Sequence, residues 1–369
     1  MKRWDGLRVF FVTLSVLISL SVTAVAQGSA SSQIKAEIQR LEQSIQERPV
    51  TDKDSAPIAK AAEDGLKAAA FALESGDVYL ALEKLGLAQD LLQGARAAAN
   101  NAEVVKGGLP AFESRWGKAS LRLTALDKES HTRPWKGTPL AVQALAESAQ
   151  GKAIPLLEGG QGFAAATGPK DGLLYVGEAE GEAEFAVFCG TLKFNDSKAA
   201  FPLRSLLPGL QALQVKANAA FQPPKSIDLH TRFIALNSQI KLGQELDSSR
   251  FYAGALYAYL EAVRHYGMLD EPPLSPDQQA KLKQDIAAER KKLTDSPADD
   301  SLAQLFVERA ESYSTHADGS APSADEWRGA GVIMDQVLPA YFAAKKPGAA
   351  IATPSGKTVE ITLVRWPYT

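Results

Sequence analysis

Three times in the C-terminal third of the chain a serine is followed three residues later by Gln or Glu. The segments are Ser275-Pro-Asp-Gln278, Ser301-Leu-Ala-Gln304 and Ser323-Ala-Asp-Glu326. This is the capping box: the serine hydroxyl accepts from a backbone N–H of the first helical turn while the Gln or Glu oxygen accepts from the serine N–H, so donors that a helix start leaves open are paired. Each box leads into an apolar stripe of helical period: Leu282, Ile286, Leu293; Leu302, Leu305, Phe306, Ala310, Tyr313; and Trp327, Ala330, Met334, Val337, Tyr341. The pattern predicts three short helices, the last kinked near its end by Pro339.

The same periodicity runs through most of the chain. Ile34, Ile38, Leu41 and Ile45 mark a short amphipathic helix that stops before Pro49, with too few heptads for a coiled coil. An alanine-rich stretch from Ile58 to Ala99, broken only at Ser75-Gly76-Asp77, reads as two helices joined by a tight turn. Leu206, Leu210, Leu213 and Ala217 predict another helix, ended by Pro223-Pro224, and a helical pair follows from Ile227 to Tyr266. Leu173 to Leu192 can be a hairpin or one long helix; its Gly-Glu-Ala-Glu repeats favour helix, because Ala and Glu are depleted in strands. The single strand-like segment is Val359 to Val364, where apolar and polar residues alternate. The expected fold class is therefore all-α, with one short C-terminal strand-like tail.

Two of the hairpins resemble a known repeat. Gly76-Asp77-Val78, Ala81-Leu82, Leu85 and Ala88 keep the turn and second-helix spacing of the tetratricopeptide repeat, although Ala68, Ala69 and Ala72 depart from its first helix. Leu242-Gly243, Leu246, Tyr252, Ala255-Leu256, Tyr259 and Ala262 match the same template without gaps, with Arg250-Phe251 where Gly-Asp is usual. The matches cover about residues 62–95 and 236–269, and no family covers the whole chain. The resemblance implies a tetratricopeptide-like superhelix; the packing rules alone also allow a generic helical bundle. The matched residues are packing positions and mark no site.

The N-terminus has the three parts of a secretory signal: basic Lys2, Arg3 and Arg8, an uncharged apolar run from Val9 to Val22, and the small-x-small site Ala24-Val-Ala26. The run is shorter than a membrane-spanning helix needs, so cleavage after Ala26 and no stable membrane insertion are expected. No cysteine follows to mark a lipid anchor. The organisation expected is a signal peptide over 1–26, a short helix and linker over 27–54, and a helical domain over 55–344 with room for two subdomains dividing near 200–225. A Pro/Gly/Ala linker and the tail occupy 345–369.

The net charge of −3 spread over 369 residues lacks the basic footprint of a nucleic-acid binder. Cys189 is the lone cysteine, so no internal disulfide can form; in Phe-Ala-Val-Phe-Cys-Gly it reads as a buried small hydrophobe.

Motifs for chemistry are sparse. His131, His230, His265 and His316 lack zinc-site spacing, though His230 and His265 could meet across packed helices. Gly160-Gln-Gly162-Phe-Ala-Ala165 loosely matches a dinucleotide fingerprint but lacks a strand before it and reads as a loop between helices. Ser314, His316, Asp318, Gly319 and Asp325 follow part of a calcium-loop pattern, without the acids required at its first and last positions. No nucleophile elbow is present. No catalytic, cofactor-binding or metal-binding residue is assigned, and no cofactor is expected. The candidate partner-binding residues are Arg365, Trp366 and Tyr368 in the tail, a polar–apolar strand ending in two aromatics, which docks either on its own molecule or, by strand addition, on another protein.

The functional expectation is an exported, non-enzymatic scaffold that holds a peptide or another envelope protein on a helical surface. One alternative is a carrier for a small apolar or peptide ligand, with Trp116, Trp135, Tyr257 and Tyr259 as linings. The other is a hydrolase whose site gathers distant His, Asp and Glu.

Overall fold

The structure is a computed structural model that describes residues 30–194, 198, 201–223, 227–269, 272–316 and 319–346. The segment expected to be a signal peptide and the C-terminal tail, with Arg365, Trp366 and Tyr368, lie outside the described residues. The protein is all-α. The helices are α1 (residues 30–47), α2 (Ala56–Glu74), α3 (Val78–Asn100), α4 (Ala102–Ser130), α5 (Leu140–Ala166), α6 (Pro169–Cys189) and α7 (Leu207–Ala220), followed by α8 (His230–Ser248), α9 (Tyr252–Gly267), α10 (Pro276–Thr294), α11 (Ser301–Ser314), α12 (Ala324–Val332) and α13 (Leu338–Lys345). Among the described residues no strand is formed.

Six helices lie side by side in the spatial order α2, α3, α6, α5, α9, α8, and α11 crosses against both α3 and α5. Residues 173–189 are helical, as part of α6. Its two glycines, four residues apart, put backbone on backbone: a Cβ at Gly177 would lie 2.4 Å from Gln93 O, and one at Gly181 would lie 2.6 Å from Asp90 Cα. The same Gly-Glu-Ala-Glu repeat therefore buries a glycine face against α3 and carries glutamates into the interior. One continuous apolar core joins α1, α2, α3, α5 and α6 to α9, α11 and α13, through side chains such as Ile34, Leu82, Leu140, Phe185, Leu256, Phe306 and Tyr341.

The two hairpins α2–α3 and α8–α9 have the same turn. Asp77 N donates to Ala72 O at 2.8 Å and Gly76 N to Leu73 O at 3.1 Å; Phe251 N donates to Leu246 O at 2.9 Å and Arg250 N to Asp247 O at 3.0 Å. Gly76 has φ of 83°, and Arg250, at the equivalent position, has φ of 63°. Arginine replaces glycine and the chain still takes the left-handed conformation that closes the turn.

Two of the three predicted capping boxes form, at Ser275 with Gln278 and at Ser323 with Glu326. The third does not. Ser301 is the first residue of α11 rather than its cap; its hydroxyl donates to Asp299 Oδ1 at 2.6 Å and accepts from Ala141 N at 2.9 Å. The serine satisfies the start of α5 instead of its own helix. Residues 160–165, expected as a loop, lie inside α5, because Gly160 is needed where a Cβ would meet Gly172 O at 2.9 Å. Pro339 does more than kink its helix: Ile333–Val337 widens into a π-turn just before it, because proline supplies no N–H and crowds the preceding turn.

Candidate functional site

Charged side chains buried between helices form the polar centre of the molecule. Arg309 on α11 is 5% exposed and clamps two carboxylates, Glu83 on α3 and Glu261 on α9. Its Nε donates to Glu83 Oε2 at 3.2 Å, and Tyr257 Oη donates to Glu83 Oε1 at 2.5 Å. Arg264 adds a second cation at 2.9 Å from Glu261. Burial alone would raise the Glu261 carboxyl, but Arg264 and Arg309 outweigh it and hold it at about 2. His265, beside Arg264, is pushed down to about 4 by burial and then by that cation.

A second buried group lies on α3, α5 and α6. Lys152 Nζ donates to Glu182 Oε1 at 3.0 Å. Burial, reinforced by Glu182, raises Asp90 to about 8, and burial raises Glu178 to about 7.

Two further glutamates sit at helix starts across the molecule. Glu308 Oε2 on α11 accepts from Leu80 N of α3 at 2.8 Å, and Glu147 Oε2 on α5 accepts from Gly254 N of α9 at 2.8 Å. Each also accepts from a glutamine one turn earlier, Gln304 at 3.0 Å and Gln143 at 2.7 Å. A carboxylate at this position pairs an open N–H and meets the positive end of the helix dipole. Burial raises both carboxyls, Glu308 to about 8.

An open groove of about 730 Å³ lies between α2, the start of α3, α10 and the α11–α12 connection. Its lining includes Lys67, Phe71, Asp77, Lys84, Arg290, Glu311 and His316. Phe71 is 45% exposed, an aromatic ring on an open wall. Arg290 bridges Asp77 and Glu311, and burial outweighs that cation to raise Asp77 to about 6. His316 Nε2 lies 2.8 Å from Glu326 Oε1 and its Nδ1 lies 2.8 Å from Ser320 Oγ. Lys84, in contrast, has no partner among the described residues. The groove thus offers one open aromatic surface and one uncommitted cation.

The residues singled out from sequence are dispersed. The His131 ring lies tilted at 4.3 Å from that of Phe251, and His230 lies 5.9 Å from Phe221. Cys189 is free and fully buried, and burial pushes its thiol up. Trp116 Nε1 donates to Leu157 O at 2.8 Å, Trp135 lies under Arg133, Tyr257 reaches Glu83 and Tyr259 packs on the core. The carboxylates that matter, Glu83, Glu147, Glu261 and Glu308, are not distinguishable in sequence from solvated helix faces. The Gln-x-x-x-Glu spacing at Gln143–Glu147 and Gln304–Glu308 recurs at Gln33–Glu37 and Gln43–Glu47 and so does not single them out. Among the described residues no group of three or more His, Cys, Asp or Glu is placed to hold a metal ion, and no helix is long and apolar enough to cross a membrane.

No protein family, curated protein or solved structure matches the chain.

Proposed function

We propose that the protein is an exported, non-enzymatic binding protein of the cell envelope, which holds a segment of a peptide or of another envelope protein in the groove between α2 and the α11–α12 connection. The observation that carries this reading is the pairing of Phe71 with Lys84 on the groove wall: an open ring for an apolar side chain and a free ammonium for a carboxylate. The signal-like N-terminus supports export, and cleavage would leave Gln27 as the first residue. The resemblance of the α2–α3 hairpin to a tetratricopeptide unit agrees with a helical surface used for peptide recognition.

The hydrolase alternative draws on Asp77, raised to about 6 at the groove edge. That carboxylate is engaged by Arg290 at 2.5 Å and is 7% exposed, which suits a fixed structural pair better than a proton shuttle.

A photo-crosslinking side chain at position 71, introduced in the exporting cell, tests the reading. A discrete adduct that disappears in a Lys84→Glu background supports it. Adducts that are absent, or unaffected by Lys84→Glu, contradict it.

A further inference from the structure

The first half of the chain and the second half repeat one another, helix by helix. Helices α2 and α8 begin at Ala56 and His230 and end at Glu74 and Ser248, so both bounds differ by 174 positions; α3 and α9 begin at Val78 and Tyr252, again 174 apart. The turns between them make the same hydrogen bonds, with Gly76 and Arg250 both at positive φ. Helices α5 and α11 begin 161 positions apart, at Leu140 and Ser301, and carry Gln143, Glu147 and Gln304, Glu308 at that same offset. Even the apolar rhythm of α1, Ile34, Ile38, Leu41 and Ile45, returns 172 positions later in and beside α7 as Leu206, Leu210, Leu213 and Ala217.

The contacts between the halves are reciprocal. Glu308 of the second half caps α3 of the first at Leu80, and Glu147 of the first half caps α9 of the second at Gly254, each at 2.8 Å. Leu80 and Gly254 are themselves equivalent. Equivalent residues also touch each other: Tyr257 reaches Glu83, and the starts of α5 and α11 meet where Ala141 N donates to Ser301 Oγ. Residue i against j′ together with j against i′, and i against i′ on the axis, is the signature of a two-fold interface. A translational stack of repeats produces neither.

We infer that the chain is an internal pseudo-dimer: two copies of one six-helix unit, α1–α6 and α7–α13, with α12 and α13, continuous through the π-turn, counted as one helix, clasped about a two-fold axis by exchange of the α5 and α11 glutamates. It follows that the binding groove is present twice. The cleft of about 310 Å³ lined by Gln150, Gly151, Glu245, Leu246, Ser249 and Phe251 uses the positions equivalent to Glu311, Ser312, Phe71, Ala72, Ser75 and Asp77 of the larger groove. What differs between them identifies the specificity residues of the larger one. Phe71 has Glu245, Lys84 has Ala258 and His316 has Pro155 as counterparts. This inference stands independently of the proposed function, since it rests on the interface and not on an occupant.

The test measures two distances in the full-length protein by electron–electron resonance between spin labels. One variant is labelled at Lys60 and Lys241, the other at Lys67 and Ile234, all exposed helix positions. A two-fold rotation carries the first pair onto the second, so the two distance distributions are expected to coincide. Clearly different distances would overturn the pseudo-dimer, because a translational repeat or unrelated halves do not equate those pairs. Labels at exposed sites leave the fold intact, and the buried Cys189 is replaced by Ala in both variants.

Discussion

Tyr257 donates its hydroxyl hydrogen bond to Glu83 at 2.5 Å, and the two residues hold the same place in their respective hairpins, 174 positions apart. Two equivalent residues meet only where the axis relating their halves passes between them. Beside that axis lies a buried ion cluster, with Arg309 clamping Glu83 and Glu261. The counterpart of Arg309 in the other half is Ser148, so the ionic clasp is made from one side alone. A buried ion cluster of this kind is weak as a source of net stability, because desolvation consumes most of the Coulomb gain. Its effect is on arrangement: three helices from both halves must meet in one register for the charges to be compensated.

Removing Arg309 leaves Glu83 buried without a cation and Glu261 with Arg264 alone. Arg309→Met is expected to cost about 3–5 kcal/mol in urea unfolding. The variant that also carries Glu83→Gln recovers much of that loss, because Glu261 keeps Arg264 as its cation and no uncompensated charge then remains inside. A neutral Arg309→Met would show that the cluster is solvated and that its burial is not maintained in solution.

Stability is expected to fall with rising pH above about pH 5. Burial raises Glu308 and Asp90 to about 8, Glu178 to about 7 and Asp77 to about 6. These groups bind protons more tightly folded than unfolded, so their contribution is complete below the unfolded carboxylate range near about 4 and is lost as pH climbs through the folded values. Glu261, held at about 2, and His265, pushed down to about 4, work in the opposite sense: the Glu261 contribution is lost as pH drops below about 4 and the His265 penalty grows below about pH 6.5, but the four raised carboxyls outnumber them. The melting temperature should peak near about pH 5 and drop by about 3 °C or more by about pH 8.5. Glu308→Gln should flatten the alkaline side. A melting temperature that rises from pH 5 to pH 8 contradicts the assignment.

Arg250 carries strain that its counterpart Gly76 avoids. A non-glycine residue at φ of 63° costs about 1–2 kcal/mol, partly offset by the lower entropy of the unfolded chain. Arg250→Gly is therefore expected to stabilise by about 0.5–1 kcal/mol, and Gly76→Ala to cost about 1 kcal/mol. Chemical denaturation of both variants checks the pair, and opposite signs are the required outcome.

Glycine has two different roles along α5 and α6. Gly177→Ala would force a methyl against Gln93 O, 2.4 Å from the ideal Cβ position, and should cost about 1–3 kcal/mol or shift α6 off α3. Gly162, inside α5, has no neighbour within 4 Å of its Cβ position, so Gly162→Ala should stabilise by about 0.5–1 kcal/mol. Equal effects at the two positions would contradict the close crossing.

The helices themselves were legible because their signals are local: apolar stripes, prolines and two genuine capping boxes need only neighbouring residues. The Ser301 box failed because its serine answers to a distant backbone, the start of α5, and no local pattern reveals that obligation. Gly160 and Gly162 read as loop residues because glycine in helices is rare unless another helix approaches, as α6 does at Gly160. The polar axis was invisible for the same reason. Glu83, Glu147, Glu261 and Glu308 occupy helical positions that elsewhere face water, and only the long-range pairing of the halves turns them inward. The recurrent 4-3-4 spacing at Ile34 and at Leu206 was present in the sequence, yet such a rhythm belongs to any amphipathic helix and becomes meaningful only beside the reciprocal contacts.

The reciprocal clasp is tested most directly by native-state hydrogen exchange at the amides of Leu80 and Gly254, in the wild type, in Glu308→Ala and in Glu147→Ala. Losing a buried acceptor costs about 1–3 kcal/mol, about tenfold or more in local opening. Glu308→Ala should accelerate exchange at Leu80, in the opposite half of the chain, with Gly254 little changed; Glu147→Ala should accelerate Gly254 and spare Leu80. Acceleration confined to the half that carries the substitution would contradict an exchange of caps between two equivalent units.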